Sequence, residues 1–241
     1  MMPSQSFIQQ LEKEHVFLSE TQQHQFARYA ELLVEWNQKM NLTAIIDYEE
    51  VLWKHFVDSA LLIRSEIFKN QNFSVETRFL DIGTGVGFPG MVLAILCPEC
   101  SFTLVDSLQK RIDFLQTVKQ ELQLKNVELF HGRAENFGKR QEFRNQFDFV
   151  VSRAVAELPV LLEFCIPFVK VGGYFISYKG IKQEQEILIS DNAFNKLTCK
   201  LEKTEQYDLN GETRFLLFIR NLELTDSRYP RKEGKPKKQP L

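Results

Sequence analysis

The residues with the clearest chemical meaning lie in one stretch, Asp81-Ile-Gly-Thr-Gly-Val-Gly-Phe-Pro-Gly90. Glycines at 83, 85 and 87 let a backbone turn tightly and approach a ligand closely. Amides at the start of a following helix can then bind a polar or anionic group. The dinucleotide fingerprint Gly-x-Gly-x-x-Gly wants glycine or alanine where Phe88 stands, counting from Gly83, and Gly87 comes one residue early for it. An acid at Asp81 would repel a pyrophosphate and suits a ligand carrying an ammonium and a sulfonium. The turn therefore favours S-adenosylmethionine over NAD as cofactor.

Three more positions fall where such a ligand needs partners. Asp106 ends a second strand-like run, 23 positions after Gly83. A carboxylate there can accept from both ribose hydroxyls, or it can cap the helix beginning near Ser107. Arg133-Ala134-Glu135 follows the third strand, and Glu135 can meet an exocyclic amine at the adenine edge; the alternative is a solvated loop acid. Arg153 follows the fourth strand, where it can hold a cofactor carboxylate or a substrate phosphate, or form a surface ion pair worth little.

Some chemistries are disfavoured. The stretch Ser152-Arg-Ala-Val-Ala156 is not the Asn/Asp-Pro-Pro-aromatic loop used on exocyclic amines, and no Pro-Cys pair suggests a cysteine nucleophile. His15, His24, His55 and His131 form no evident triad; His55 sits at helical spacing from Asp58, facing either the cleft or the core. Cys97-Pro-Glu-Cys100 lacks a second pair at metal spacing, so no metal is expected and the four cysteines read as structural residues of a reducing compartment.

These residues need elements to place them. Residues 1–72 read as a helical lobe. Ser19-Glu-Thr-Gln22 has capping-box spacing, and Phe26, Tyr29, Leu33, Trp36 and Met40 then share one helix face. A shorter helix precedes, around Phe7 and Leu11, and a further helical segment runs through Val51, His55, Phe56, Ser59, Leu62 and Ile63. Asn41–Ile45 between them is a turn, and Asn70–Ser74 is a polar boundary. Residues 73–225 then alternate: strands at Arg78–Ile82, Phe102–Val105, Val127–Phe130, Phe147–Val151 and Tyr174–Tyr178; helices at Gly90–Leu96, Leu108–Leu124 and Leu158–Val169, the last stopped by Gly172-Gly173. Alternation of this kind implies a mostly parallel sheet with right-handed crossovers. Lys200–Leu209 and Thr213–Asn221 flank Asn210-Gly211, a strong hairpin signal. The predicted fold is α/β: a Rossmann-like class I methyltransferase sheet ending in an antiparallel hairpin, plus the helical lobe.

Hydrophobic content of 44% and charged content of 26% are those of an ordinary globular chain. No apolar run is long enough to span a membrane, and the first residues do not resemble a secretory signal. A cytoplasmic monomer is the expectation. The net charge of −2 is unevenly placed. Residues 226–241 hold Arg228, Arg231, Lys232, Lys235, Lys237 and Lys238 against Asp226 and Glu233, a local charge of +4 that leaves −6 elsewhere. Such a tail reads either as a polyanion-binding arm or as a solubilising end.

The chain closely resembles the glucose-inhibited division protein B family, guanine-N7 methyltransferases of 16S ribosomal RNA. The resemblance rests on Asn41–Ile45, His55–Ser59, Asp81–Gly90, Asp106–Arg111, Arg133–Glu135, Ser152–Ala156 and the terminal Arg231–Leu241, in order along nearly the whole chain. Gly87-Phe-Pro-Gly90 and the Arg231-Lys-Glu-Gly234 tail are its most specific parts; Thr84 and Lys235 are small departures. The resemblance implies cofactor contacts at Gly83, Phe88, Asp106-Ser107-Leu108, Ala134, Glu135 and Arg153. It also implies a target guanine in a conserved loop of 16S rRNA, met in the 30S subunit or an assembly intermediate.

Guanine N7 has an in-plane lone pair and no proton to lose, so orientation suffices and no general base is required. Lys110, Arg111, Arg153 and the tail are the expected phosphate contacts. Truncation after Tyr229 should then weaken RNA binding and its salt dependence and spare cofactor binding. The rival readings are an NAD-dependent oxidoreductase, an RNA-binding assembly protein that transfers nothing, and a small-molecule methyltransferase.

Overall fold

The computed structural model describes residues 2–45 and 47–241; Met1 and Ile46, both within the 1–72 segment, lie outside the described residues. The alternating pattern folds into one seven-stranded sheet of β1 (Arg78–Ile82), β2 (Ser101–Asp106), β3 (Val127–His131), β4 (Phe147–Arg153), β5 (Val169–Lys179), β6 (Cys199–Leu209) and β7 (Glu212–Asn221). The order across the sheet is β3-β2-β1-β4-β5-β7-β6. β1 to β5 are parallel, and β7 runs antiparallel to both β5 and β6. Asn210 (φ 54°) and Gly211 (φ 82°) both take the left-handed conformation that a two-residue hairpin turn demands. This is the expected class I methyltransferase sheet with its antiparallel closing hairpin.

Strand order reverses between β1 and β4, which opens a crevice at their carboxyl ends. Ser152 Oγ donates to the Ile82 carbonyl at 2.9 Å and ties the two strand ends together there.

Aromatic residues build the sheet face beneath the N-terminal helices. Phe79 stacks on Phe102 (4.7 Å between centroids) and on Phe149 (4.9 Å). Helices Gln5–Lys13 and Glu20–Met40 deliver Phe7, Phe26, Tyr29 and Leu33 into the same buried cluster. The helices thus complete the sheet's core and have none apart from it. Ser19 and Gln22 form a full capping box at the start of the longer helix. The next helical run changes pitch three times: α over Tyr48–Val51, π over Leu52–Val57, α over Asp58–Ala60 and 3₁₀ over Leu61–Arg64.

The opposite sheet face packs on helices Leu158–Cys165 and Asp191–Lys196. Two sequence expectations change here. The helix predicted over 158–169 ends at Cys165, because Pro167 has no amide proton to donate and its ring crowds the preceding turn. Val169 already opens β5, which runs through Gly172-Gly173 where a stop was expected. The pairing with β4 shifts register at that point, from Phe147↔Val169 to Phe149↔Tyr174.

Candidate active site

The turn after β1 forms the floor of the crevice. Asp81 lies beneath it, buried, with Oδ2 accepting from Thr84 Oγ1 at 2.7 Å and from the Gly90 amide at 2.8 Å. Burial pushes its carboxyl up to about 7, against the pull of those two hydrogen bonds and of Arg153. Asp81, expected as a direct cofactor contact, is a brace under the turn whose charge acts from below.

Two glycines have opposite reasons. Gly85 has φ 61°, and a Cβ built on it would meet nothing within 4 Å. It borders open space of about 390 Å³ walled by residues 41–44, Gly83, Thr84, Phe88, Arg111 and Arg153. Gly87 has φ 103°, and a Cβ there would lie 2.2 Å from Tyr29 Oη. The first glycine leaves room for a ligand; the second lets helix Glu20–Met40 close onto the turn, where Tyr29 Oη donates to the Val86 carbonyl. Asn37, which carries no motif in the sequence, shapes the far wall: its Oδ1 accepts from the amides of Leu42 (2.6 Å) and Thr43 (2.8 Å).

Asp106 is buried at the end of β2. Its Oδ2 accepts from the Gly85 amide at 2.8 Å and from Arg111 Nη1 at 3.3 Å, and its Oδ1 accepts from the Leu108 amide at 2.9 Å. Leu108, not Asp106, holds the N-cap position of helix Gln109–Glu121, so the carboxylate fastens turn and loop together. Oδ1 keeps lone-pair capacity toward the cleft. Ser107 and Leu108 are exposed beside it.

Ala134 and Glu135 open the short helix Ala134–Phe137 after β3. Glu135 is only 4% exposed, which excludes the solvated-loop reading. Its Oε1 accepts from the Gly234 amide of the tail at 3.1 Å. A small second cavity joins Gly83, Asp106, Ser107, Gly132, Glu135 and Lys237.

Arg153 occupies the centre. Its Nη1 donates to Asp58 Oδ2 at 2.6 Å and to the Lys54 carbonyl at 3.2 Å, and Nη2 lies 2.9 Å from His55 Nδ1. This is a buried pair and not the weak surface pair considered from sequence. Tyr207 Oη, from β6, donates to Asp58 Oδ1 at 2.7 Å. Arginine can only donate, so His55 Nδ1 is an acceptor and the proton sits on Nε2. Burial and the Arg153 charge push the imidazole down to about 3. His55 is therefore neutral, stacked 4.4 Å from Phe88, with its accepting nitrogen occupied.

A larger open cavity of about 620 Å³ adjoins Arg153 on its other side. Lys54, Asp58, Val155, Tyr178, Lys179, Tyr207 and Arg214 line it. The closing hairpin thus contributes Tyr207 and Arg214, which no local spacing in the sequence signalled.

The expected phosphate contacts separate into three groups. Lys110 Nζ donates to the Met40 carbonyl at 2.8 Å, and Arg111 is paired with Asp106. Arg231 is bound by buried Glu163 and is a docking residue of the tail, a correction to its expected RNA contact: its guanidinium is already neutralised. Arg228 pairs with Asp226 but stays exposed. Lys232, Lys235, Lys237 and Lys238 are exposed and form no ion pair among the described residues.

The arrangement fits S-adenosylmethionine. Space stands open over Gly85, acceptors at Asp106 and Glu135 match ribose hydroxyls and an exocyclic amine, and uncommitted Arg153 donors match a carboxylate.

The family model described as rRNA small subunit methyltransferase G matches residues 22–214. Curated proteins named ribosomal RNA small subunit methyltransferase G are similar over their full length. The one from Streptococcus pneumoniae is 45% identical over 241 residues, covering 100% of both chains. The one from Streptococcus pyogenes serotype M2 is 46% identical with the same coverage. Among solved structures, the 16S rRNA (adenine(1408)-N(1))-methyltransferase from Catenulisporales acidiphilia superposes with a TM-score of 0.53 at 17% identity, covering 64% of this chain and 88% of that one. TrmN from Thermus thermophilus gives 0.52 at 15% identity, covering 71% and 53%. These last two similarities concern the fold. Among the described residues no helix is long and apolar enough to cross a membrane.

Proposed function

The chain belongs to the rRNA small subunit methyltransferase G family, and from that premise we propose that its cleft moves the methyl group of S-adenosylmethionine to N7 of a guanine in a conserved loop of 16S rRNA. The state of His55 supports an acceptor nitrogen with no proton to lose, and family membership supplies the choice of guanine N7 among such atoms. Its Nδ1 is occupied by Arg153 and its basicity is suppressed, so the imidazole nearest the crevice takes no proton. Guanine N7 has none to give up. A nucleophile with a free in-plane lone pair is the substrate such a site can serve.

Orientation is then the main task of the protein. When bound, S-adenosylmethionine supplies an activated methyl on a sulfonium. The Gly83–Phe88 turn sets its depth, Asp106 takes the ribose hydroxyls, Glu135 takes the adenine amine, and Arg153 takes the carboxylate. We assign the target nucleotide to the cavity of about 620 Å³, with Lys54 and Arg214 facing the RNA backbone. A base in a single-stranded loop reaches it without opening a duplex.

Residues 1–72 supply one wall of the cleft, 73–225 the cofactor site and 226–241 a basic tail at its adenine end. The protein acts as a monomer in the cytoplasm, on the 30S subunit or an assembly intermediate.

The test is transfer of labelled methyl to 30S subunits from cells lacking this gene, followed by nucleoside analysis of the 16S rRNA. The expected product is 7-methylguanosine at a single loop position. RNA binding without transfer would instead support an assembly protein, and label on another atom would overturn the assignment of N7.

A further inference from the structure

The C-terminal segment is docked, not free. Glu163 on helix Leu158–Cys165 is fully buried, and its carboxylate accepts from the Arg231 amide (2.7 Å), Nε (2.8 and 3.0 Å) and Nη2 (2.6 Å). A buried carboxylate is tolerated only when its charge is matched and its lone pairs are used, and Arg231 does both. Arg144 donates to the carbonyls of Thr225 (2.9 Å) and Tyr229 (2.6 Å) from the opposite side. Tyr229, Pro236 and Leu241 are buried.

This anchoring places one backbone group at the cleft. The Gly234 amide donates to Glu135 Oε1, with Gly234 at φ 76°, a conformation glycine adopts without strain. Glu233 brackets the same corner, paired with Arg133 at 2.9 Å. Glu135 Oε2 takes no protein donor among the described residues.

We propose that Gly234 is a positioning residue for the cofactor: its amide pins one oxygen of Glu135 so that the other is presented to the exocyclic amine of the adenine. This rests on the reading that Glu135 meets the adenine. A glutamate held in this way has already lost its rotamer freedom, so less is lost when the ligand arrives. The tail is then part of the cofactor site and not solely an arm toward RNA.

The test compares affinities for S-adenosylhomocysteine and for its purine-riboside analogue, in which a hydrogen replaces the exocyclic amine and no ring N–H is created. Calorimetric titrations are run on the full chain, on a chain ending at Lys232, and on Gly234→Ala. The alanine variant has room for its methyl but strains φ, so it shifts the amide without altering any charge. The full chain should prefer the adenosyl ligand by about tenfold, the worth of one hydrogen bond to a charged group. In both variants most of that preference should vanish, while a general loss of stability would weaken both ligands alike. If the full chain itself shows no preference, Glu135 does not meet the adenine and the underlying reading fails. If the full chain discriminates and the folded Gly234→Ala variant keeps the whole preference, the positioning role is overturned and the reading of Glu135 stands.

Discussion

Arg153 and Asp58, 95 residues apart in sequence, meet at 2.6 Å with side chains only 14% and 6% exposed. One comes from the end of β4 and the other from the helical run of the N-terminal segment. The pair therefore joins helices to sheet at the point where the cofactor turn and the larger cavity meet.

Asp58→Ala removes the carboxylate from a partly buried guanidinium that keeps the Lys54 carbonyl and His55 as partners, so the loss should fall below the ~3–5 kcal/mol of a fully buried pair. Urea unfolding should show that loss. Asp58→Asn, which keeps an acceptor for Arg153 and a partner for Tyr207, should lose clearly less. Asp58→Ala should also bind S-adenosylhomocysteine more weakly, because Arg153 is no longer aimed, whereas Asp58→Asn, which still accepts from Arg153, should keep most of that affinity. An Asp58→Ala protein with unchanged stability and affinity would remove the pair from any role here.

Asp81 predicts a pH dependence of two signs. Its carboxyl is raised by burial to about 7, above its value in the unfolded chain. The folded state thus keeps a proton that the unfolded state has released, and this contribution to stability is lost as pH rises through about 7. A cationic cofactor favours the ionised form, so affinity should rise over the same window. Asp81→Asn offers one oxygen to both Thr84 and Gly90 and removes the titration. Against that variant, which shares the ligand's own titration, the wild type should become relatively less stable and relatively tighter-binding with rising pH. Parallel profiles for the two proteins would refute this.

The glycines of the turn should separate binding from folding. Gly85→Ala puts a methyl into open space at a strained φ, costing about 1 kcal/mol of stability. It should cost about tenfold or more in cofactor affinity, because the methyl occupies the ligand's space. Gly87→Ala drives its methyl into Tyr29, Met91 and Leu115 and should destabilise by about 2–4 kcal/mol. Thermal unfolding and titration on both variants give the comparison; the reverse ranking would mean the ligand lies elsewhere.

Local features of this molecule were legible in the sequence, and those closed by distant contacts were not. The glycine turn, the acid at Asp106 and the Asn210-Gly211 hairpin each follow from backbone constraints acting within a few residues. Tyr207 reaches Asp58 across 149 positions, and no periodicity encodes such a meeting. Gly172-Gly173 resembled a helix stop because glycine breaks helices and permits register shifts alike, and only the pairing of β4 with β5 distinguishes the two. The tail misled through its charge. Its docking depends on a single buried acid, Glu163, and a few apolar anchors, which a count of lysines does not weigh.

The tail lysines carry the last prediction. Arg231 is neutralised within the protein, but Lys232, Lys235, Lys237 and Lys238 stand exposed with no ion pair among the described residues. Their backbone belongs to the docked segment; Lys237 also borders the small cavity with Asp106 and Glu135, so the two roles are separated by changing Lys232, Lys235 and Lys238 alone. Replacing Lys232, Lys235 and Lys238 by glutamine should leave S-adenosylhomocysteine affinity unaltered, because Lys237, the Gly234 amide and the Arg231 anchor persist. RNA binding should weaken, and the slope of log affinity against log salt should fall by about 0.7 for each phosphate no longer neutralised, since every neutralised phosphate releases condensed counterions. Lys110 offers a contrast: its ammonium already donates to the Met40 and Asn41 carbonyls, so Lys110→Gln should alter the salt slope less than any of the three. Filter binding to 16S rRNA over a salt series measures both. A three-lysine variant with the wild-type slope would place the RNA on another face, and the wall formed by Lys54 and Arg214 would then be the next surface to neutralise.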